Sequence, residues 1–250
     1  MLSKNQIKEI QSLHQRKQRE LHQRFIAEGA KTVSEIVLQN SSLIDQLFAT
    51  PSYLSANSHL LHENNIWFQE ITEEELKKIS LQATPNQVLA ICHYFKPVSA
   101  SAPGATAFYL DDIRDPGNLG TIIRLSDWFG MRDLYCSPST CDRYNPKVIQ
   151  SCMGAFLRVN IHYCELSDIA PSYKKIYGAL LEGKNLYQQE LSEGLIVIGN
   201  EANGISAETL ALITDKVHIP AAADSQAESL NAAIAAAVLA SEFFRQVRKP

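Results

Sequence analysis

Three short stretches of the 250-residue chain gather polar side chains and glycines in a pattern that suits ligand handling. In the first, DDIRDPGNLGTIIR over residues 111–124, Pro116 and Gly117 make a turn and Asn118 is placed to cap a following helix. Gly120 lets another backbone come close. Arg124 lies about a turn and a half beyond Asn118 on the same helix, where a guanidinium can meet a phosphate or a carboxylate. In the second, LIVIGNEANGIS over residues 195–206, an apolar run ends in Gly199, Asn200 and Glu201, with Gly204 close behind. The run reads as a buried parallel strand, and its glycines as a tight loop against a ligand or a second backbone segment. A carboxylate at such a strand end needs a partner, and Arg124 is the candidate. In the third, Ile219 and Pro220 precede Ser229, Leu230 and Asn231, where an alanine-rich helix begins. The plain alternatives are a helix cap with a surface arginine, and an ordinary buried helix. Neither accounts for the paired polar residues before the last helix.

Other chemistries find less support. No GxGxxG turn or phosphate loop is present, so a generic nucleotide-dependent enzyme is the weakest reading. The five cysteines, Cys92, Cys136, Cys141, Cys152 and Cys164, are odd in number and form no CxxC pair, which argues against disulfides and zinc. His59 and His62 lack the partners of a metal site, so no metal is expected.

The elements that must position the three stretches alternate. Strands are expected at AFYLDDI, DLYCSPS, RVNIHY, KKIYGALL, GLIVIGN and KVHIPA. Helices are expected at NLGTIIRLSDWFG, NPKVIQSCMGAFL, SAETLALI and the long closing SLNAAIAAAVLASEFFRQV. Such alternation implies an α/β domain with a mostly parallel sheet covered on both faces. Ahead of it, residues 3–23 read as a polar helix and residues 25–40 as helical through Ile26, Val33, Ile36 and Val37. IWFQEI reads as a strand, and TEEELKKIS as a helix opened by a Thr72–Glu75 capping box. Residues 97–106, rich in Pro, Ser, Ala and Gly, separate a domain at 1–96 from one at 107–250.

The chain's net charge is −4, but residues 1–31 carry seven cations against three carboxylates. A basic leading segment on an acidic body predicts a local phosphate-facing patch, or else a solvated helix with internal ion pairs. The N-terminus is polar and no apolar run approaches ~18–20 residues, so a cytoplasmic protein that does not enter the membrane is expected.

In order and spacing the three stretches resemble the SpoU (TrmH-like) branch of the SPOUT RNA methyltransferases. Asn118, Gly120 and Arg124 match that family's N-x-G-x-x-x-R pattern. Gly199, Asn200, Glu201 and Gly204 match its G-N-E-x-x-G segment, and Ile219, Pro220, Ser229, Leu230 and Asn231 its I-P…S-L-N segment. The N-terminal block is similar to the family's small α/β ribosomal-protein-L30e-like substrate domain at Arg24-Phe25 and Glu28-Gly29. Two stretches depart from the pattern: AAADSQAE after Pro220 is longer than the usual loop, and Asn86-Gln87 stand where relatives often carry a glycine. The resemblance implies a catalytic domain with a deep trefoil knot, a homodimer with sites completed across the interface, and S-adenosyl-L-methionine as cofactor. The cofactor-binding set it implies is Gly199, Asn200, Glu201, Gly204, Ile219, Pro220, Ser229 and Leu230. The catalytic set it implies is Arg124, Asn118, Glu201, Ser229 and Asn231. The implied reaction is 2′-O-methylation of a ribose in structured RNA, rRNA before tRNA, and the alternative of another class is a non-catalytic knotted RNA-binding module. Arg124 would bind the adjacent phosphate and polarise the 2′-oxygen while Glu201 orients it, because a guanidinium stays charged and cannot serve as a literal base.

Overall fold

The structure, a computed structural model, describes residues 1–95 and 104–247. Residues 97–103 of the expected linker lie outside the described residues. The chain divides into two compact units: Met1–Lys96 with Asp142–Leu157, and Pro97–Cys141 with Arg158–Pro250.

In the first unit, α1 (Lys4–Ser12) opens at a Ser3–Gln6 capping box, and α2 (Arg16–His22) ends at Gln23 in the left-handed region. The polar helix expected over 3–23 is therefore two helices. The helix expected from residue 25 starts late. Phe25, Ile26 and Ala27 are buried in β1 (Arg24–Glu28), and Gly29 at φ +93° turns the chain into α3 (Ala30–Asn40). A helical period ran through Ile26, but a positive φ at Gly29 is incompatible with a continuous helix. Then come β2 (Ile44–Ala49), α4 (Pro51–Glu63), β3 (Gln69–Glu70), α5 (Glu73–Ile79) and β4 (Val88–His93). The Thr72–Glu75 capping box is formed, whereas the strand expected at IWFQEI shrinks to the two residues of β3. The sheet order is β1-β4-β2-β3, with β4 antiparallel to both of its neighbours.

The same unit neutralises much of its basic leader. Arg16 pairs with Glu20 at 2.7 Å, and Arg24 with Glu9 at 3.3 Å and Asp45 at 3.2 Å. Arg19 is buried and pairs with Asp142 at 2.6 Å. The expected phosphate-facing patch is thereby narrowed to the exposed Lys4, Lys8, Lys17 and Lys31.

The second unit holds β5 (Ala107–Leu110), α6 (Pro116–Trp128) and β6 (Asp133–Cys136), after which the chain contributes α7 (Pro146–Cys152) to the first unit. It resumes with β7 (Asn160–Tyr163), α8 (Leu166–Ile169), β8 (Ile176–Asn185), β9 (Leu195–Ile198), α9 (Ala207–Leu210), β10 (Asp215–His218) and α10 (Ala232–Val247). Six parallel strands lie in the order β10-β8-β9-β5-β6-β7. All residues of β5 and β9 are buried, as expected of apolar runs at the centre of a parallel sheet. Helix α6 turns Leu119, Ile122, Ile123 and Ser126 inward, packs against α10, and leaves Thr121, Arg124 and Trp128 exposed.

In the first unit, Asp142–Leu157 is held by more than the Arg19 pair. Tyr144 stacks on Tyr94 at 3.8 Å between ring centroids and lies 4.8 Å from Phe25, which meets Phe156 edge-on at 5.9 Å. Asn145 caps α7 through the Lys147 amide, as the Asn-Pro pair predicts.

Candidate active site

The site grows from the start of α6. Asp115 caps the helix by accepting from the Asn118 amide at 2.8 Å, with Pro116 in the first turn. Asn118, expected as the cap, is instead the third helical residue. Once Pro116 occupies the first helical position, the residue before it becomes the cap. That shift frees the Asn118 side chain for other partners. Its Nδ2 donates to Glu201 Oε1 at 2.8 Å, and its Oδ1 accepts from Asn231 Nδ2 at 2.9 Å. Asn231 in turn caps α10 by accepting from the Ala233 amide at 2.9 Å and the Ile234 amide at 3.3 Å. One line of hydrogen bonds thus joins all three sequence motifs.

Beneath this line the loops brace one another at the carboxyl ends of β5, β9 and β6. Asn200 donates to the Asp112 carbonyl at 2.7 Å, and its Oδ1 accepts from the Ala202 and Asn203 amides at 2.9 and 3.0 Å. Gly199 is required because a Cβ there would run into the backbone of Gly204 and Ile205. Gly204 adopts φ +69° and bridges back to Asn200. Gly199 therefore serves one of its expected uses, close approach of backbone to backbone, while Gly204 supplies the left-handed turn. Buried Asp111 accepts from the Ser206 amide at 2.7 Å. The Asp112 amide donates to Ser137 Oγ at 2.9 Å, and Ser137 belongs to a hydroxyl cluster with Ser139 and Thr140. Arg114 grips the Asp112 carboxylate through Nε at 3.1 Å and Nη2 at 3.0 Å, and this hydrogen bonding raises its already high pKa, with the Asp112 charge and then Glu201 adding to the effect.

Not every expected residue joins. Glu201 is exposed, and its hydrogen bond goes to Asn118, which corrects the expected pairing with Arg124 within one chain. Arg124 is exposed on α6 and makes no ion pair among the described residues. Residues 221–231 are exposed, with Leu230 at 50%. Ile219 to Leu230 form no helix or strand, and Ser229 makes no side-chain hydrogen bond among the described residues. Sequence reasoning missed Asp111, Asp112 and Asp115. The signal was three carboxylates within five residues after a strand, which only a use for each could have decoded.

A parallel sheet with a polar line across the carboxyl ends of its central strands is the architecture of an enzyme that acts where strands end. Residues 105–241 match the SpoU rRNA Methylase family, and residues 4–90 match the MRM3-like substrate binding domain. The chain belongs to the SpoU rRNA methylase family and is an RNA methyltransferase by class. It is 29% identical to the 23S rRNA (guanosine(2553)-2'-O)-methyltransferase RlmP of Bacillus subtilis, over 95% of each chain. It resembles the structure of a TrmH-family protein from Porphyromonas gingivalis at 37% identity and TM-score 0.84, covering 98% of this chain and 99% of that one. It also resembles an AdoMet-bound rRNA methyltransferase from Sinorhizobium meliloti at 25% identity and TM-score 0.84, covering 100% and 97%.

Proposed function

We propose that this chain methylates the 2′-hydroxyl of a ribose in rRNA, with S-adenosyl-L-methionine as donor. The observation that carries the reading is the direct hydrogen-bonded line Asn231–Asn118–Glu201, which unites three segments far apart in sequence. The donor set fits the cofactor. From Ile219 to Leu230 the backbone lies outside any helix or strand, next to the exposed Leu230 side chain, and such peptide groups can hold a base and a ribose. Gly199, Asn200, Gly204, Ile219, Pro220 and Leu230, with Glu201 and Ser229 at the edge, are the residues that would hold it. When bound, S-adenosyl-L-methionine supplies a methyl group on a positively charged sulfur.

The chain's residues do the rest. Asn118 fixes Glu201 and the start of α10 in one geometry, which sets where a ribose can lie. Ser229 and Asn231 flank that place. Arg124 binds the phosphate beside the ribose and polarises the 2′-oxygen, and the hydroxyl proton passes to solvent water as that oxygen attacks the methyl carbon. We infer that two copies complete the site. Trp128 is 82% exposed, Ile234 54% and Phe244 42%, and they lie on α6 and α10, which pack together; we assign these side chains to the surface that a second copy covers. Arg124 is one turn before Trp128, so a partner would cover it too. The return of β10 to pair with β8 is compatible with the expected trefoil knot. No helix among the described residues is long and apolar enough to cross a membrane. We assign the chain to the cytoplasm on its likeness, over 95% of its length, to an rRNA methyltransferase of Bacillus subtilis. The first unit, residues 1–96 in the main, grips RNA by shape and phosphate.

The test is transfer of tritiated methyl to rRNA from cells lacking the gene, followed by mapping of alkali-resistant ribose linkages. Base methylation, or none, would overturn the proposal. Arg124→Ala should lose at least about 10²-fold in rate with cofactor affinity within a fewfold, since it removes a group that acts on the reacting oxygen. A variant of near wild-type rate would sink the role given to Arg124.

A further inference from the structure

A second arginine near the site has no role in the reaction just described. Arg114 sits on the loop between β5 and α6, and its side chain is 71% exposed. It is nonetheless held. Asp112 takes the Nε and Nη2 edge of the guanidinium at 3.1 and 3.0 Å. Nη1 is left without a protein partner among the described residues. Asp112 is in turn fixed on three sides: its amide donates to Ser137, its carbonyl accepts from Asn200, and its Oδ2 lies 3.3 Å from Asn200 Nδ2. It also holds φ +57°, a left-handed conformation that a residue with a Cβ adopts at a cost.

An exposed ion pair returns little stability, because water competes for both charges and a long side chain must be ordered. A strained, triply anchored carboxylate aiming one guanidinium outward is therefore poorly explained as a stabilising device. It suits pre-orientation for an anion. The local charge points the same way. Asp111, Asp112, Asp115 and Glu201 crowd this end of the sheet, and a phosphodiester approaching Asn118 and Glu201 needs a cation beside it.

We propose that Arg114, aimed by Asp112, is a second phosphate anchor that binds an RNA phosphodiester flanking the target ribose. This rests on the rRNA methyltransferase reading. Arg114 touches substrate, and Asp112 is a positioning residue that acts through it.

The experiment measures binding of rRNA extracted from cells lacking the gene across a series of KCl concentrations, together with cofactor affinity and steady-state kinetics. Arg114→Ala should weaken RNA binding about tenfold and flatten the salt slope by roughly one phosphate contact, the signature of a lost backbone anchor. KM for RNA should rise, while kcat and cofactor affinity stay unchanged. Arg114→Lys should restore part of the affinity and the slope, since a point charge still meets a phosphate. Asp112→Gly suits the left-handed backbone, so it should keep the thermal midpoint while losing a few-fold in RNA affinity. Unchanged RNA affinity and slope in Arg114→Ala would overturn the proposal. So would a parallel loss of cofactor affinity, which would assign the guanidinium to the carboxylate of the methyl donor. A wild-type protein that binds no rRNA would sink the underlying substrate reading, and this inference with it.

Discussion

Asn118 engages both ends of its amide with other site residues, donating to Glu201 and accepting from Asn231. Aspartate at this position would keep the acceptor for Asn231 but lose the donor and face a second carboxylate across 2.8 Å. Asn118→Asp should therefore cost about 10²-fold in methyl transfer, because a small displacement of positioning groups is enough for that. The melting transition should fall as well, because the new carboxylate is buried and faces Glu201, so the rate is compared per folded molecule. Rate and melting measured side by side check this, and a wild-type rate would detach Asn118 from the site. Arg19 shows the opposite use of a polar residue. It donates to the Leu13 and His14 carbonyls and to Asp142, so its charge is consumed inside the unit and is not available to RNA.

At the scale of elements, α6 carries both the site and its support. The Asp115 cap starts the helix three residues before Asn118, so weakening the cap loosens the residue that joins the motifs. Asp115→Ala should destabilise the protein by about 1 kcal/mol, the usual cost of a lost N-cap. It should also lower methyl transfer by more than that loss of folded protein explains. Chemical denaturation with activity assays on the same samples would show it, and a stability loss with activity per folded molecule unchanged would separate the cap from the site. For the dimer proposed above, Trp128→Glu on α6 should yield a monomer by sedimentation and an inactive enzyme, because a charge at that proposed contact opposes association. An active monomer would refute the shared site.

For the molecule as a whole, the chain leaves one compact unit and returns to it. Asp142–Leu157 follows β6 in sequence yet packs with the first unit, pinned by the Arg19–Asp142 pair and by Tyr144 against Phe25 and Tyr94. The Arg19 side chain is 2% exposed and that of Asp142 14%, so removing the guanidinium takes away the charge partner of Asp142 where little water can replace it, although the Tyr144 amide still donates to its other oxygen at 2.9 Å. Arg19→Ala should cost about 3–5 kcal/mol, the range for breaking a buried pair. Denaturant unfolding measures that, and protease cleavage near residue 142 should accelerate in parallel. A loss under about 1 kcal/mol, the range of a surface ion pair, would show that the segment is held by its aromatic packing alone.

Much of this was legible in the residues alone. Apolar four-residue runs at AFYL and LIVI, the Thr72–Glu75 box and the Asn145–Pro146 start are local signals, set within a turn or a strand, and the structure carries each of them. The order of three motifs was enough to indicate a family. What the chain could not disclose on its own is which groups meet. The partners of Asn118 lie 83 and 113 residues away, and the partner of Arg19 lies 123 away. Those distances are closed by strand order and by a segment that changes units, so Glu201 takes Asn118 in place of Arg124, and half-expected surface cations become internal ties. Local sequence determines elements because neighbours within a turn compete for the same backbone groups. Pairing across the sheet is decided only when the whole core packs, since the burial of β5 and β9 side by side is what brings their loops within hydrogen-bonding reach.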